Sequence, residues 1–245
     1  MPDIPKTAGI SRVTEFNKMV LKKKYDHEPF RLILQLPTNP FDMAGRICRL
    51  EMLTRWMIKK PEIVHRLIRF SQDVLLEVLN YWYDLFGSEN VLVRSGGVIC
   101  SNQIISPRHF EEFVLPYLKE NHEIVLSKGY NHFYCHICGE HNMNMPYWSH
   151  VPMGNPGIVS IGHEVELEVA ARYFPDDIIL GNMNPAILQT GSPDDVYKST
   201  AEVINKGKKL ASGFIFSMGC QFPPRSSLEN VKAMNQAIYD FGRYE

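Results

Sequence analysis

Short apolar runs alternate with longer helix-like runs along this 245-residue chain, and no two strand-like runs adjoin. The strand-like runs are Arg31–Leu36, Val91–Val93, Gly129–His136, Gly157–Ile161, Asp177–Gly181 and Gly213–Met218. Between and after them, residues 43–60, 63–85, 106–128, 165–173, 193–209 and 227–241 read as helices. The clearest is 63–85, where Val64, Leu67, Ile68, Val74, Leu75, Val78, Leu79 and Trp82 recur at three- and four-residue steps. Strands separated by helices pair in parallel, because a parallel neighbour needs a crossover.

Each polar or glycine-rich feature falls just after a strand: Gly96-Gly97, His136 to Gly139, Gly162-His163, Gly181-Asn182 and Gly219-Cys220. In a (β/α)8 barrel those strand ends form one rim, and active sites sit there. The expected fold is therefore α/β, a (β/α)8 TIM barrel, in a single domain over 1–245. Only six strands are countable, whereas the closed barrel has eight. Residues 1–29 contain Pro2, Pro5 and Pro29 and are weakly patterned, with a short helix expected over 13–24. Either two strands hide there or the barrel lacks its N-terminal strands.

Net charge is −1, which gives no electrostatic reason to expect nucleic acid. No apolar run approaches the ~20 residues of a membrane span, and the first residues carry no signal-peptide core. A cytoplasmic protein is the expectation. Its five cysteines, Cys48, Cys100, Cys135, Cys138 and Cys220, suit thiol or metal chemistry better than a disulfide frame.

Successive strand residues face opposite sides. His136 and Cys138 therefore share a face, and Cys135 points away. That parity argues against a redox pair between Cys135 and Cys138. With Cys220 from a later strand end, His136 and Cys138 make a two-sulfur, one-nitrogen set. Three protein ligands with one open position suit a catalytic zinc, and soft thiolates favour Zn²⁺ over Mg²⁺ or Ca²⁺. The same residues also suit small buried hydrophobes and a core histidine. His163 or Glu164, on the same rim, is a candidate fourth ligand. His141 lies beyond the Gly139 turn and is expected to be exposed. Asn182 is a candidate to bind substrate or orient a ligand, and Tyr134 and Phe222 to pack beside a flat ligand face.

Four groups of residues resemble the uroporphyrinogen decarboxylase superfamily, and within it the zinc-dependent corrinoid (cobamide) methyltransferases. They are Ile105-Ser-Pro107 with Phe110 to Tyr117; His136-Ile-Cys138-Gly139; Gly181 to Pro185 with Gly191 to Val196; and Gly219 to Pro224 with Leu228 to Ala233. They fall in the family's order over roughly residues 30 to 245. The resemblance implies a (β/α)8 barrel in which His136, Cys138 and Cys220 match the family's zinc ligands. The family's fourth ligand, a glutamate, falls near Gly162 to Glu164. Two departures stand out. Relatives often carry an acid near Gly97, where this chain reads Arg94-Ser-Gly-Gly97, and their N-terminal arginine motif is not found.

The resemblance implies a methyl transfer between a corrinoid carried by a partner protein and a thiol, or the reverse transfer from a methyl donor. Expected partners are a corrinoid-binding protein and a small thiol or methyl donor, with a homodimer left open. Two other readings stand beside it: a metal-free porphyrinogen decarboxylase, and a non-catalytic barrel fragment with a structural zinc.

Overall fold

A computed structural model describes residues 3–22, 32–35, 39–89 and 91–244, the stretch 32–35 by its strand pairing alone. Six strands form one sheet in sequential order: β1 (Leu32–Gln35), β2 (Val91–Gly97), β3 (Phe133–Ile137), β4 (Ile158–Ile161), β5 (Ile178–Met183) and β6 (Phe214–Met218). Every neighbouring pair is parallel. This is a TIM-barrel-type α/β sheet with six strands among the described residues, short of the eight that close a barrel.

The helices are α1 (Ala8–Lys22), α2 (Pro40–Cys48), α3 (Leu50–Lys59), α4 (Pro61–Phe86), α5 (Pro107–Phe113), α6 (Leu115–Ser127) and α7 (Met145–Trp148). They continue with α8 (Leu167–Tyr173), α9 (Pro185–Thr190), α10 (Pro193–Gly207) and α11 (Leu228–Phe241). Serine caps start several of them: Ser106, Ser192 and Ser227 each accept a backbone N–H three residues on. Such a cap is worth about 1 kcal/mol.

Residues 3–22 hold a 3-10 turn and α1, so of the two alternatives for the N-terminal stretch, hidden strands are not found among its described residues. Two expectations need correction. The helix expected over 43–60 starts at Pro40 and breaks at Arg49, whose φ of 67° leaves the helical region. The helix expected over 106–128 divides at Val114 into α5 and α6. The physical cause is Pro116, which has no N–H to continue the ladder and favours a first-turn position.

Burial alternates along β3: Phe133, Cys135 and Ile137 are buried, while Tyr134 and His136 are half-buried. Cys135, Ile137, Val159, Ile161 and Ile179 enter the same core as Phe110, Phe113, Leu167 and Ala170 from the helices. Apolar burial of that kind, worth about 25 cal/mol per Å², holds the helices on the sheet. On β3 the opposite parity, Tyr134 and His136, is left for chemistry.

Candidate metal centre

Strand register assembles the site. Arg94 of β2 pairs with Tyr134 of β3, and His136 of β3 with Ser160 of β4. These side chains line one cavity of about 440 Å³, together with Arg46, Cys138, Ser217 and Cys220.

His136, Cys138 and Cys220 each offer a ligand atom, and these atoms lie within 4.8 Å of one another. The two sulfurs are 3.6 Å apart. A tetrahedral zinc with Zn–S bonds of about 2.3 Å holds two sulfurs roughly 3.8 Å apart. The spacing fits that edge and is far from a disulfide, at about 2.05 Å. His136 Nδ1 sits 2.9 Å from the Ser160 hydroxyl. That contact occupies one ring nitrogen and leaves Nε2 for a metal. Burial, with help from the nearby Arg94 charge, lowers the His136 pKa to about 4, so the ring is neutral and ligand-ready at neutral pH. Burial, and then the neighbouring Cys220, push the Cys138 thiol up to about 12. An incoming cation must therefore displace that proton, as thiolate sites require. The donor chemistry, two sulfurs and one imidazole, fits zinc.

Cys135 is fully buried on the other side of β3, as strand parity requires. Gly139 turns the chain after Cys138 at φ 89°, which glycine adopts without a Cβ clash. Gly219 lies against the neighbouring rim loop, where an added Cβ would come within 2.6 Å of the His163 backbone nitrogen. The loop Gly162–Val165 thus lies beside the one that carries Cys220.

Neither His163 nor Glu164 joins the three clustered ligand atoms. They contact each other, His163 Nδ1 to Glu164 Oε2 at 3.4 Å. The Glu164 charge adds a small contribution to the raised Cys138 pKa. Asn182 donates its amide to the carbonyls of Gly162, at 3.2 Å, and Val165, at 2.6 Å. It braces the Gly162–Val165 loop. Tyr134 lines the cavity. Phe222 is half exposed and lies outside that lining.

His141 corrects the expectation of an exposed residue: it is fully buried. Trp148 Nε1 donates to its Nδ1 at 3.1 Å, and Asn144 Nδ2 lies 3.2 Å from the same nitrogen. A tryptophan can only donate, so the ring proton belongs on Nε2. Trp148 follows His141 by seven residues, and the short helix α7 folds it back.

Sequence reasoning missed Ser160, Arg46 and Asp42. Ser160 had a signal, a lone hydroxyl inside Ile158-Val-Ser-Ile161 with the parity of the cavity face. Asp42 is buried, and its carboxylate accepts from Val98 N at 2.9 Å and Ile99 N at 3.2 Å. Asn39 Nδ2 donates to Gly96 O at 2.8 Å. Together they latch the start of α2 onto the end of β2, and Arg46 follows Asp42 by one helical turn.

The comparisons agree with this architecture. A solved methyltransferase from Methanosarcina mazei superposes with a TM-score of 0.77 at 18% identity, over 99% of this chain and 68% of that one. A methylated-thiol–coenzyme M methyltransferase from Methanosarcina mazei is 26% identical over 220 residues, 89% of this chain and 55% of that protein. A uroporphyrinogen decarboxylase from Xylella fastidiosa is 26% identical over 193 residues, 75% of this chain and 51% of its own length. The chain thus spans about half the length of these curated relatives. The uroporphyrinogen decarboxylase (URO-D) family model matches residues 13–241, nearly the whole chain. With its parallel sheet and rim-loop site, the chain belongs to the uroporphyrinogen decarboxylase family.

Proposed function

We propose that this chain is a zinc-dependent methyltransferase that moves a methyl group between a corrinoid on a partner protein and a small thiol or related methyl donor. The observation that carries this reading is the cluster of His136, Cys138 and Cys220 beside an open cavity. Relatives named methylcobamide:CoM methyltransferases, from Methanosarcina barkeri and Methanosarcina acetivorans, align over 95% and 91% of this chain and support it.

His136, Cys138 and Cys220 would hold the zinc, which would supply a Lewis acid able to lower the pKa of a thiol substrate. The protein's own residues do the rest. Ser160 orients the His136 ring. Asn182 braces the loop that carries His163 and Glu164, either of which would be the nearest candidate for a fourth ligand. Tyr134 forms part of the cavity wall against which substrate rests.

The test is a reaction of the zinc-loaded chain with methylcobalamin and a small thiol, followed by loss of the methylcobalamin spectrum. Zinc-dependent demethylation that disappears in Cys220→Ser is the expected result. The decarboxylase relatives favour a second reading, decarboxylation without metal. Activity on a porphyrinogen after zinc removal would establish that reading and displace ours.

A further inference from the structure

His141 supplies none of the three clustered ligand atoms, yet it follows Cys138 by three residues and is fully buried. Around it the loop after β2 grips the loop after β3, by main chain and side chain alike. Cys138 N donates to Gly97 O at 3.0 Å, and Asn102 N to Glu140 O at 2.8 Å. Asn102 Nδ2 donates to Asn144 Oδ1 at 2.8 Å, and Asn144 Nδ2 to Cys100 O at 3.1 Å. Those two bonds settle which way the Asn144 amide points. Its Nδ2 therefore faces His141 Nδ1 as a second donor, beside Trp148 Nε1. Two donors on Nδ1 leave the ring proton on Nε2.

That Nε2–H is buried and makes no hydrogen bond among the described residues. The main-chain acceptor that acts on the ring is the Cys138 carbonyl, which opposes the fall in pKa caused by burial. No turn or loop N–H among the described residues donates to that carbonyl. A buried N–H left unpaired is costly, so the two groups satisfy each other at least cost. We infer that His141 is a positioning residue for the metal centre: its Nε2–H engages the Cys138 carbonyl and so fixes the direction in which Cys138 presents its sulfur. With the Cys138 N–H held by Gly97 and its carbonyl by His141, both peptide planes at that residue are set. Rotation about Cα–Cβ is then the sulfur's remaining freedom, and a ligand held in this way loses less entropy on meeting a metal. The inference rests on the reading of Cys138 as a zinc ligand.

Two substitutions separate the work of the two ring nitrogens. His141→Asn puts an amide near the Nδ1 position, where it can accept from Trp148, and lacks the reach to Cys138. His141→Gln puts its amide nitrogen near the Nε2 position and keeps a donor for Cys138. Each chain is titrated with zinc against a chromophoric chelator, and with cobalt(II), whose thiolate charge-transfer absorption reports the metal–sulfur bonds. His141→Asn should weaken zinc binding about tenfold or more and alter the cobalt absorption. His141→Gln should stay close to the parent chain, although it gives up the Trp148 bond. Trp148→Phe removes one donor from Nδ1 and leaves Asn144 there, so it should lower the urea midpoint and leave zinc affinity unchanged. A packing role predicts another order, in which zinc affinity follows stability and His141→Gln and Trp148→Phe lose at least as much as His141→Asn. That order overturns the inference, as does parent-like zinc binding by His141→Asn, and both results leave the ligand assignment standing. Where His141→Asn fails to fold, the zinc affinities of His141→Gln and Trp148→Phe decide between the two roles. Cobalt binding by the parent chain without thiolate absorption would remove the ligand reading itself, and the inference with it.

Discussion

Ser160 lies directly across from His136 in the β3–β4 register, and its hydroxyl is 2.9 Å from the imidazole Nδ1. Strand pairing, rather than a loop, therefore sets which ring nitrogen is left for a metal. Partners of that kind typically contribute 10–100-fold to metal affinity. Ser160→Ala should weaken zinc binding by about that factor without unfolding the chain, measured by competition with a chromophoric chelator. Unchanged affinity would remove Ser160 from the metal centre.

Cys135 is buried within β3, whereas Cys138, just past the strand's end, lines the cavity. Cys138→Ser should abolish stoichiometric zinc in metal analysis. Cys135→Ser should keep the zinc but lose about 1–3 kcal/mol in urea unfolding, because a hydroxyl replaces a thiol in an apolar setting. The reverse pattern would refute the assignment of ligands.

His122 is fully buried between Pro152 O and Ser95 Oγ, each 2.8 Å from a ring nitrogen, and stacks on Phe133 at 3.8 Å. Burial lowers its pKa from 6.5 to about 4. Below pH 6.5 the unfolded chain binds a proton that the folded chain refuses, so this group's contribution falls as pH drops towards 4. The loss amounts to about 3 kcal/mol at most. Asp42, raised by burial to about 6, acts in the opposite direction over nearly the same window. The raw stability profile therefore mixes the two. Subtracting the profile of His122→Gln isolates the histidine, and the difference should grow on acidification from 6.5 to 4. A pH-independent difference would contradict the assignment.

Asp42→Ala would leave the Val98 and Ile99 N–H groups without their acceptor. A loss of about 1–3 kcal/mol is expected in denaturant unfolding. Asp42→Asn keeps one acceptor oxygen but turns an NH2 towards the other N–H, so it should recover only part of that loss. A loss as large as that of Asp42→Ala would show that one acceptor alone does not hold the latch.

Much of this was legible before any coordinates. Alternation of strands and helices foretold a parallel sheet, and parity on β3 separated Cys135 from His136 and Cys138. Cys220 was found because it, like Cys138, follows a strand and sits beside glycine. The less legible features depend on contacts between distant segments. Nothing local marks Arg49 as the break between α2 and α3, and nothing local buries His141, whose cover comes from Trp148 and Phe110. Arg46 reaches the cavity only because Asp42 is anchored to a loop more than fifty residues away.

Gly219 carries an implication for change at this centre. Its missing side chain lets the Cys220 segment lie on the backbone of His163. The donors themselves can be exchanged one for another, for imidazole, thiol and carboxylate are all tips of side chains. The seam between the two segments is main chain on main chain, and no rotamer can relieve an intruding methyl group there. Within this scaffold, then, the kind of side chain at these positions is open to variation, while the floor on which they stand is not.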